Sequence, residues 1–168
     1  MKHNAWLPAD FAHPTRVELP TGHHLRPIRE DDVGIDYPAV MGSRERLWAI
    51  FGRVWGWPPA TMTYDQDRED LARHEREIRD HHSFNYAVLD RAESTLFGCV
   101  YIDPPEKAGA DADVSWWVIT HPEQAAIEAT LLELVPRWIA DEWPFTNPRF
   151  IGRDLSWDQW LALPDNAP

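Results

Sequence analysis

The stretch from Phe84 to Trp143 changes its periodicity once, and that change restricts the fold more than any other feature of the chain. Phe84-Asn85-Tyr86-Ala87-Val88-Leu89 reads as a strand, and Asp90 to Ser94 supplies a turn. Thr95 to Asp103 is a second strand, stopped by Pro104-Pro105, and Asp113 to Thr120, rich in Val, Ile and Trp, is a third. Short, turn-rich connections make these an antiparallel meander. From Pro122 to Trp143 the apolar residues recur instead at three and four positions: Ile127, Leu131, Leu134, Val135, Trp138 and Ile139. That spacing predicts a long helix with one core-facing stripe, interrupted by Pro136 and ended by Pro144.

The flanks are read the same way. Pro8, Pro14 and Pro20 break any helix in residues 1–23, which are expected to form an arm pinned to the body by Trp6, Leu7 and Phe11. His24 to Arg29 is a short strand that Pro27 assigns to an edge, and Glu30-Asp31-Asp32 suits a helix start. Between Ile35 and Trp57 an interrupted helix carries Leu47, Ile50, Phe51 and Val54 on one face, and Tyr64 to His81 is a surface helix with a narrow apolar stripe. Arg149 to Leu155 is a last strand and Trp157 to Leu163 a closing helix. The fold class is α/β (α+β-like), a mixed, largely antiparallel sheet of five or six strands flanked by helices. Residues 24–168 are expected to make a single domain.

Composition narrows the function. With 16 Lys and Arg against 28 Asp and Glu the formal charge is −12, which argues against a nucleic-acid partner and would suit a cationic substrate, although an acidic surface also serves solubility. Cys99 is the single cysteine, so an internal disulfide and a cysteine zinc cluster are both excluded. No run reaches the ~18 apolar residues of a membrane span. Pro8, Asp10, Pro14 and Glu18 make the first twenty residues unlike a signal peptide. A soluble cytoplasmic protein without a membrane partner is the expectation. His23-His24 and His81-His82 lack metal-ligand spacing, and no metal is expected. Ten tryptophans indicate an aromatic-rich core or face.

The order strand, two helices, three-strand meander, helix, strand resembles the GNAT superfamily of acyl-coenzyme A-dependent N-acyltransferases. The resemblance is carried by His24-Leu25-Arg26-Pro27-Ile28-Arg29-Glu30-Asp31-Asp32, by Phe84 to Asp90 and by Phe97-Gly98-Cys99-Val100-Tyr101-Ile102, with its strand glycine, and it covers residues 24–155. It implies transfer of an acetyl or other short acyl group from coenzyme A to a primary amine of a small molecule or peptide. It also implies that Asp113 to Thr120 is a strand splayed from its neighbour to hold the pantetheine, here through Trp117, Val118, Ile119 and Thr120. The loop after it would wrap the pyrophosphate with the amides of Gln124, Ala125 and Ala126. Gln124 and Ala129 match the loop pattern of that family, whereas Ile127 stands where it has glycine, and no Lys or Arg lies between Asp111 and Pro136.

Three residues are candidates for the chemistry, which needs an acceptor for the ammonium proton and a donor for the departing thiolate. Asp113 sits where several acetyltransferases of that family carry an acidic base, His121 can serve as base or thiolate donor, and Tyr101 can donate to the thiolate. The tyrosine usual after the fifth strand is replaced by Trp157-Asp158-Gln159-Trp160. A competing reading takes Thr120-His121-Pro122-Glu123 as a capping box that fills the helix amides from within. The chain would then be a non-catalytic binding module of the same fold. The chain ends before a complete sixth and seventh strand, so a second copy can be expected to complete the sheet as a homodimer.

Overall fold

All residues of the three meander strands are buried except Asp103 at the end of the second. Both faces of the sheet are therefore covered, and strand alternation separates two kinds of interior. In the computed structural model, which describes residues 6–167, six strands follow one another across a single sheet. They are β1 (Val17–Glu18), β2 (His24–Pro27), β3 (Phe84–Leu89), β4 (Leu96–Asp103), β5 (Ala112–Val118) and β6 (Pro148–Phe150). Every neighbouring pair is antiparallel except β5 and β6. The helices are α1 (Val33–Gly42), α2 (Arg44–Trp55), α3 (Tyr64–Arg79), α4 (Gln124–Glu142) and α5 (Trp157–Leu161). Parallel pairing of β5 with β6 requires a crossover, and α4 provides it.

On β3, β4 and β5 the even-numbered residues face α4: Tyr86 packs on Trp138 with ring centroids 4.9 Å apart, and Phe84 on Trp143 at 4.8 Å. Residues with odd numbers face α3 and the aromatic end of α2, and this side carries the buried polar groups Asn85, Asp113 and Ser115. Polar side chains on a buried face need partners or a cavity. Here there is a cavity.

The edge position expected for β2 is corrected. Residues 17 and 18 pair with Leu25 and His24, so β2 lies inside the sheet. Pro27 is tolerated because it lies past the end of that short pairing. Trp6 donates from Nε1 to the Asp111 carbonyl at 2.9 Å and stacks on Phe145, while Leu7 and Leu19 are buried. Among the described residues no helix is long and apolar enough to cross a membrane.

Gly98 fixes how closely β4 and β5 approach. A Cβ there would lie 2.1 Å from the Trp117 carbonyl oxygen, a distance no side chain can occupy. At the other end of β5 the chain of β6 turns away at Gly152, whose φ of +85° few other residues adopt. From Ser115 onward the outer edge of β5 has no strand beside it.

Candidate active site

A cavity of about 600 Å³ opens between the odd-numbered face of the sheet, α3 and the aromatic end of α2. Local sequence determines its walls. Thr63 caps α3 reciprocally with Gln66, the Gln66 amide donating to Thr63 Oγ1 at 3.2 Å and the Thr63 amide to Gln66 Oε1 at 2.9 Å. Helical spacing from that start lays Asp67, Asp70, His74 and Glu77 over the cavity. Ser156 and Gln159 cap α5 in the same manner, which turns Trp157 and Trp160 toward it. Trp55 stacks on Phe51 at 4.7 Å and meets Trp157 at 5.3 Å, so one wall is aromatic.

The charges divide into those that are answered and those that are not. Arg73 pairs with Asp70 and, at 2.8 Å, with Glu77, and His74 lies 3.5 Å from Glu77. The His74 hydrogen bond and the Arg73 guanidinium hold the Glu77 carboxyl down at about 2. Asp113 receives Arg149 Nε at 2.8 Å and Trp160 Nε1 at 3.1 Å, one on each oxygen. Asp103 has only the Ser83 hydroxyl, at 2.5 Å, and burial raises its carboxyl to about 6. Asp36 and Asp67 contact each other and are 3% and 1% exposed; burial raises both carboxyls above the ordinary range. Tyr101 Oη accepts from Trp117 Nε1 at 2.8 Å, and burial pushes its hydroxyl pKa well up, so it stays protonated and free to donate.

Of the three expected chemical residues, the cavity brings Asp113 and Tyr101 together and leaves His121 outside. Asp113 arrives with both oxygens engaged. Asp103, its register partner across β4 and β5, is the lining carboxyl with an acidity near neutrality; the sequence reading missed it because burial, not spacing, sets that value. His121 instead caps a turn: its Nδ1 accepts from the Glu123 amide at 3.1 Å and its carbonyl from the Gln124 amide at 3.0 Å.

That geometry corrects the expected capping box. Glu123 occupies the N-cap of α4 with no side-chain cap, and Thr120 Oγ1 accepts from Arg46 Nε at 3.4 Å. The amides of Ala125 and Ala126 find no acceptor among the described residues. Ile127 is fully buried in the core, so its side chain points away from those amides. The positive charge absent from the loop's own sequence arrives from α2. Arg44 and Arg46 border a recess with Thr120, and Arg46 Nη2 is without a partner although Nη1 lies 3.7 Å from Glu128.

The phase of the β5 backbone follows from two bonds. The Ile119 amide donates to the Phe97 carbonyl at 2.8 Å on the inner side, and the Ile151 amide to the Val114 carbonyl at 2.9 Å on the outer side. Alternation then turns the main-chain groups of Trp117 and Ile119 toward β4, and those of Trp116 and Val118 toward the open edge. The Thr120 amide donates to Ser43 Oγ at 3.0 Å. Among the expected pantetheine contacts only Val118 therefore presents free backbone, and Trp116 joins it.

No family model matches the sequence, and no curated protein matches it. Solved structures do match. A probable acetyltransferase is 14% identical with a TM-score of 0.63, over 80% of this chain and 72% of that one. A ribosomal L7/L12 alpha-N-protein acetyltransferase in complex with coenzyme A is 14% identical with a TM-score of 0.57, over 73% of this chain and 67% of that one. A nucleotide-linked sugar GNAT is 13% identical with a TM-score of 0.53, over 82% and 72%. The chain has the GNAT fold.

Proposed function

We propose that the protein is an acyl-coenzyme A-dependent N-acyltransferase, moving an acetyl or other short acyl group to a primary amine. The observation that carries this reading is the junction of two features: an unpaired β5 edge at Trp116 and Val118, and a carboxylate- and aromatic-lined cavity that includes Ser115 and Trp117 of the same strand. The GNAT fold of the solved acetyltransferases supports it.

The residues fit the acyl donor. The Trp116 and Val118 backbone would hold its pantetheine, and the free Ala125 and Ala126 amides with Arg46 and Arg44 its phosphates. When bound, acyl-coenzyme A would supply a thioester carbonyl open to attack and a thiolate that can leave. Asp103 accepts the proton that the attacking amine must lose, since a carboxyl at about 6 is largely ionised at neutral pH yet basic enough to take it. Tyr101 gives its hydroxyl proton to the leaving sulfur, and Trp117 Nε1 stabilises the phenolate left behind. Asp113, held by Arg149 and Trp160, positions the end of β5 against β6.

The test has two parts. Coenzyme A should raise the melting temperature, as any ligand selective for the native state does, and acetyl-coenzyme A with a panel of primary amines should release free thiol. A melting shift without thiol release would favour a binding module. Absence of both the melting shift and thiol release would remove the transferase reading.

A further inference from the structure

The cavity contains more carboxyl groups than acyl transfer requires, and their distribution is uneven. Arg73 answers Asp70 and Glu77, and Arg149 answers Asp113. Besides the exposed Glu106, two foci remain unanswered by any guanidinium. One is Asp103 beside Ser83. The other is the Asp36–Asp67 pair, which lies within electrostatic reach of the Cys99 thiol on β4. Cys99 and Asp103 are four positions apart on β4, a span of about 13 Å. On the opposite wall, the ten helical residues from Asp67 to Glu77 cover about 15 Å.

The Asp36–Asp67 end is also short of donors. Among the described residues no N–H group or hydroxyl reaches Asp67 Oδ2 or Asn85 Oδ1, and both residues, 1% and 3% exposed, line the cavity. Leaving two buried acceptors unsatisfied is costly, and an ammonium supplies three donors to a site of this kind. Between the foci Trp55, Trp57, Tyr101 and Trp117 present rings to the space, while α3 faces them with Asp70, Arg73 and His74. Such walls accept methylene groups and also favour cations over their faces.

We infer that the acceptor is a linear di- or polyamine, with one amino group at the Asp103 end and a second, distal ammonium seated on Asp67, Asp36 and Asn85. A monoamine would leave the far acceptors unpaired, and an acidic or zwitterionic amine would place a carboxylate against them. The identity of the reacting amine rests on the acyltransferase reading, but the distal ammonium site does not.

Binding is therefore measured without any acyl donor, by calorimetry with 1,5-diaminopentane and spermidine against 1-aminopentane. The diamine and spermidine should bind with a stoichiometry near one and at least tenfold more tightly than the monoamine. Asp67→Asn should weaken spermidine at least tenfold while the melting shift produced by coenzyme A is retained. Asn85→Leu should weaken it in the same direction, so the inference does not depend on a single variant folding. Equal affinity for mono- and diamines would overturn it, as would several weak sites in place of one, or an unchanged spermidine affinity in the folded variants. Loss of coenzyme A binding with spermidine binding intact would sink the transferase reading alone.

Discussion

Replacing Asp103 by Asn separates the proposed chemistry from the fold, because the structure fixes the sign of both effects. The folded carboxyl stands at about 6 against an ordinary 3.8, so folding raises its affinity for a proton. Below pH 3.8 both states are protonated and the site costs nothing. As pH rises from there the unfolded chain ionises first, and stability is lost progressively until the folded carboxyl has also ionised, above pH 6. Across that window the penalty grows to about 1–3 kcal/mol, the upper figure being the full conversion of the shift and the lower one allowing for the side chain's partial exposure. Asn accepts the Ser83 hydroxyl but never ionises. Asp103→Asn should therefore be more stable than the parent by about 1–3 kcal/mol at pH 7–8 and no more stable near pH 4. Urea denaturation followed by tryptophan fluorescence at several pH values measures this directly. The same variant should lose about 10²–10⁴-fold in kcat, and the parent kcat/KM should rise with pH up to about 6 and flatten above it. A gain in stability that ignores pH would refute the assignment of the acidity. Full turnover in Asp103→Asn together with its loss in Asp113→Asn would return the proton to Asp113.

Gly98→Ala should cost about 2–4 kcal/mol of stability in denaturant titrations, because its Cβ meets a backbone carbonyl that can yield only if β5 shifts. Arg46→Ala should raise the coenzyme A dissociation constant about tenfold or more, in keeping with the loss of one charge-assisted bond, and leave amine binding alone; an unchanged constant would place the phosphates elsewhere. His121→Ala removes an acceptor from the Glu123 amide, so it should lower stability by about 0.5–1 kcal/mol, and turnover should be retained because the ring lies outside the cavity.

How far these features could be read from the chain depended on whether they are local. Phe84–Leu89 and the α4 stripe of Ile127, Leu131, Val135 and Ile139 were legible because alternation and helical repetition need no knowledge of partners. The position of β2 was not, since the two-residue strand that covers it is too short to give a period. The turn before α4 was misread for a related reason. Thr120 and Glu123 match a capping box in sequence, but Arg46 and Ser43, more than seventy positions away, take the Thr120 hydroxyl and amide. Long-range partners outcompeted the local motif.

The site was legible as a region and illegible as electrostatics. Asp113 was expected from the family resemblance and Tyr101 as a donor to the thiolate, and the register places both on one face. Nothing in their spacing reveals that Arg149 occupies Asp113 while Asp103, directly across the ladder, is left with a serine. The same reasoning applies to the loop in which Ile127 stands in place of glycine. A loop that lacks basic residues of its own can still bind an anion if another element brings the charge. Here α2 does so, with Arg46 Nη2 left unpartnered beside Thr120. The glycine replaced by Ile127 would have mattered only if that position lined the loop, and its complete burial shows that it belongs to the core stripe of α4. Glu128 is then the residue that opposes phosphate most directly, 3.7 Å from Arg46, and Glu128→Gln should strengthen coenzyme A binding severalfold. If that variant binds coenzyme A no better than the parent, Arg46 does not face the phosphates.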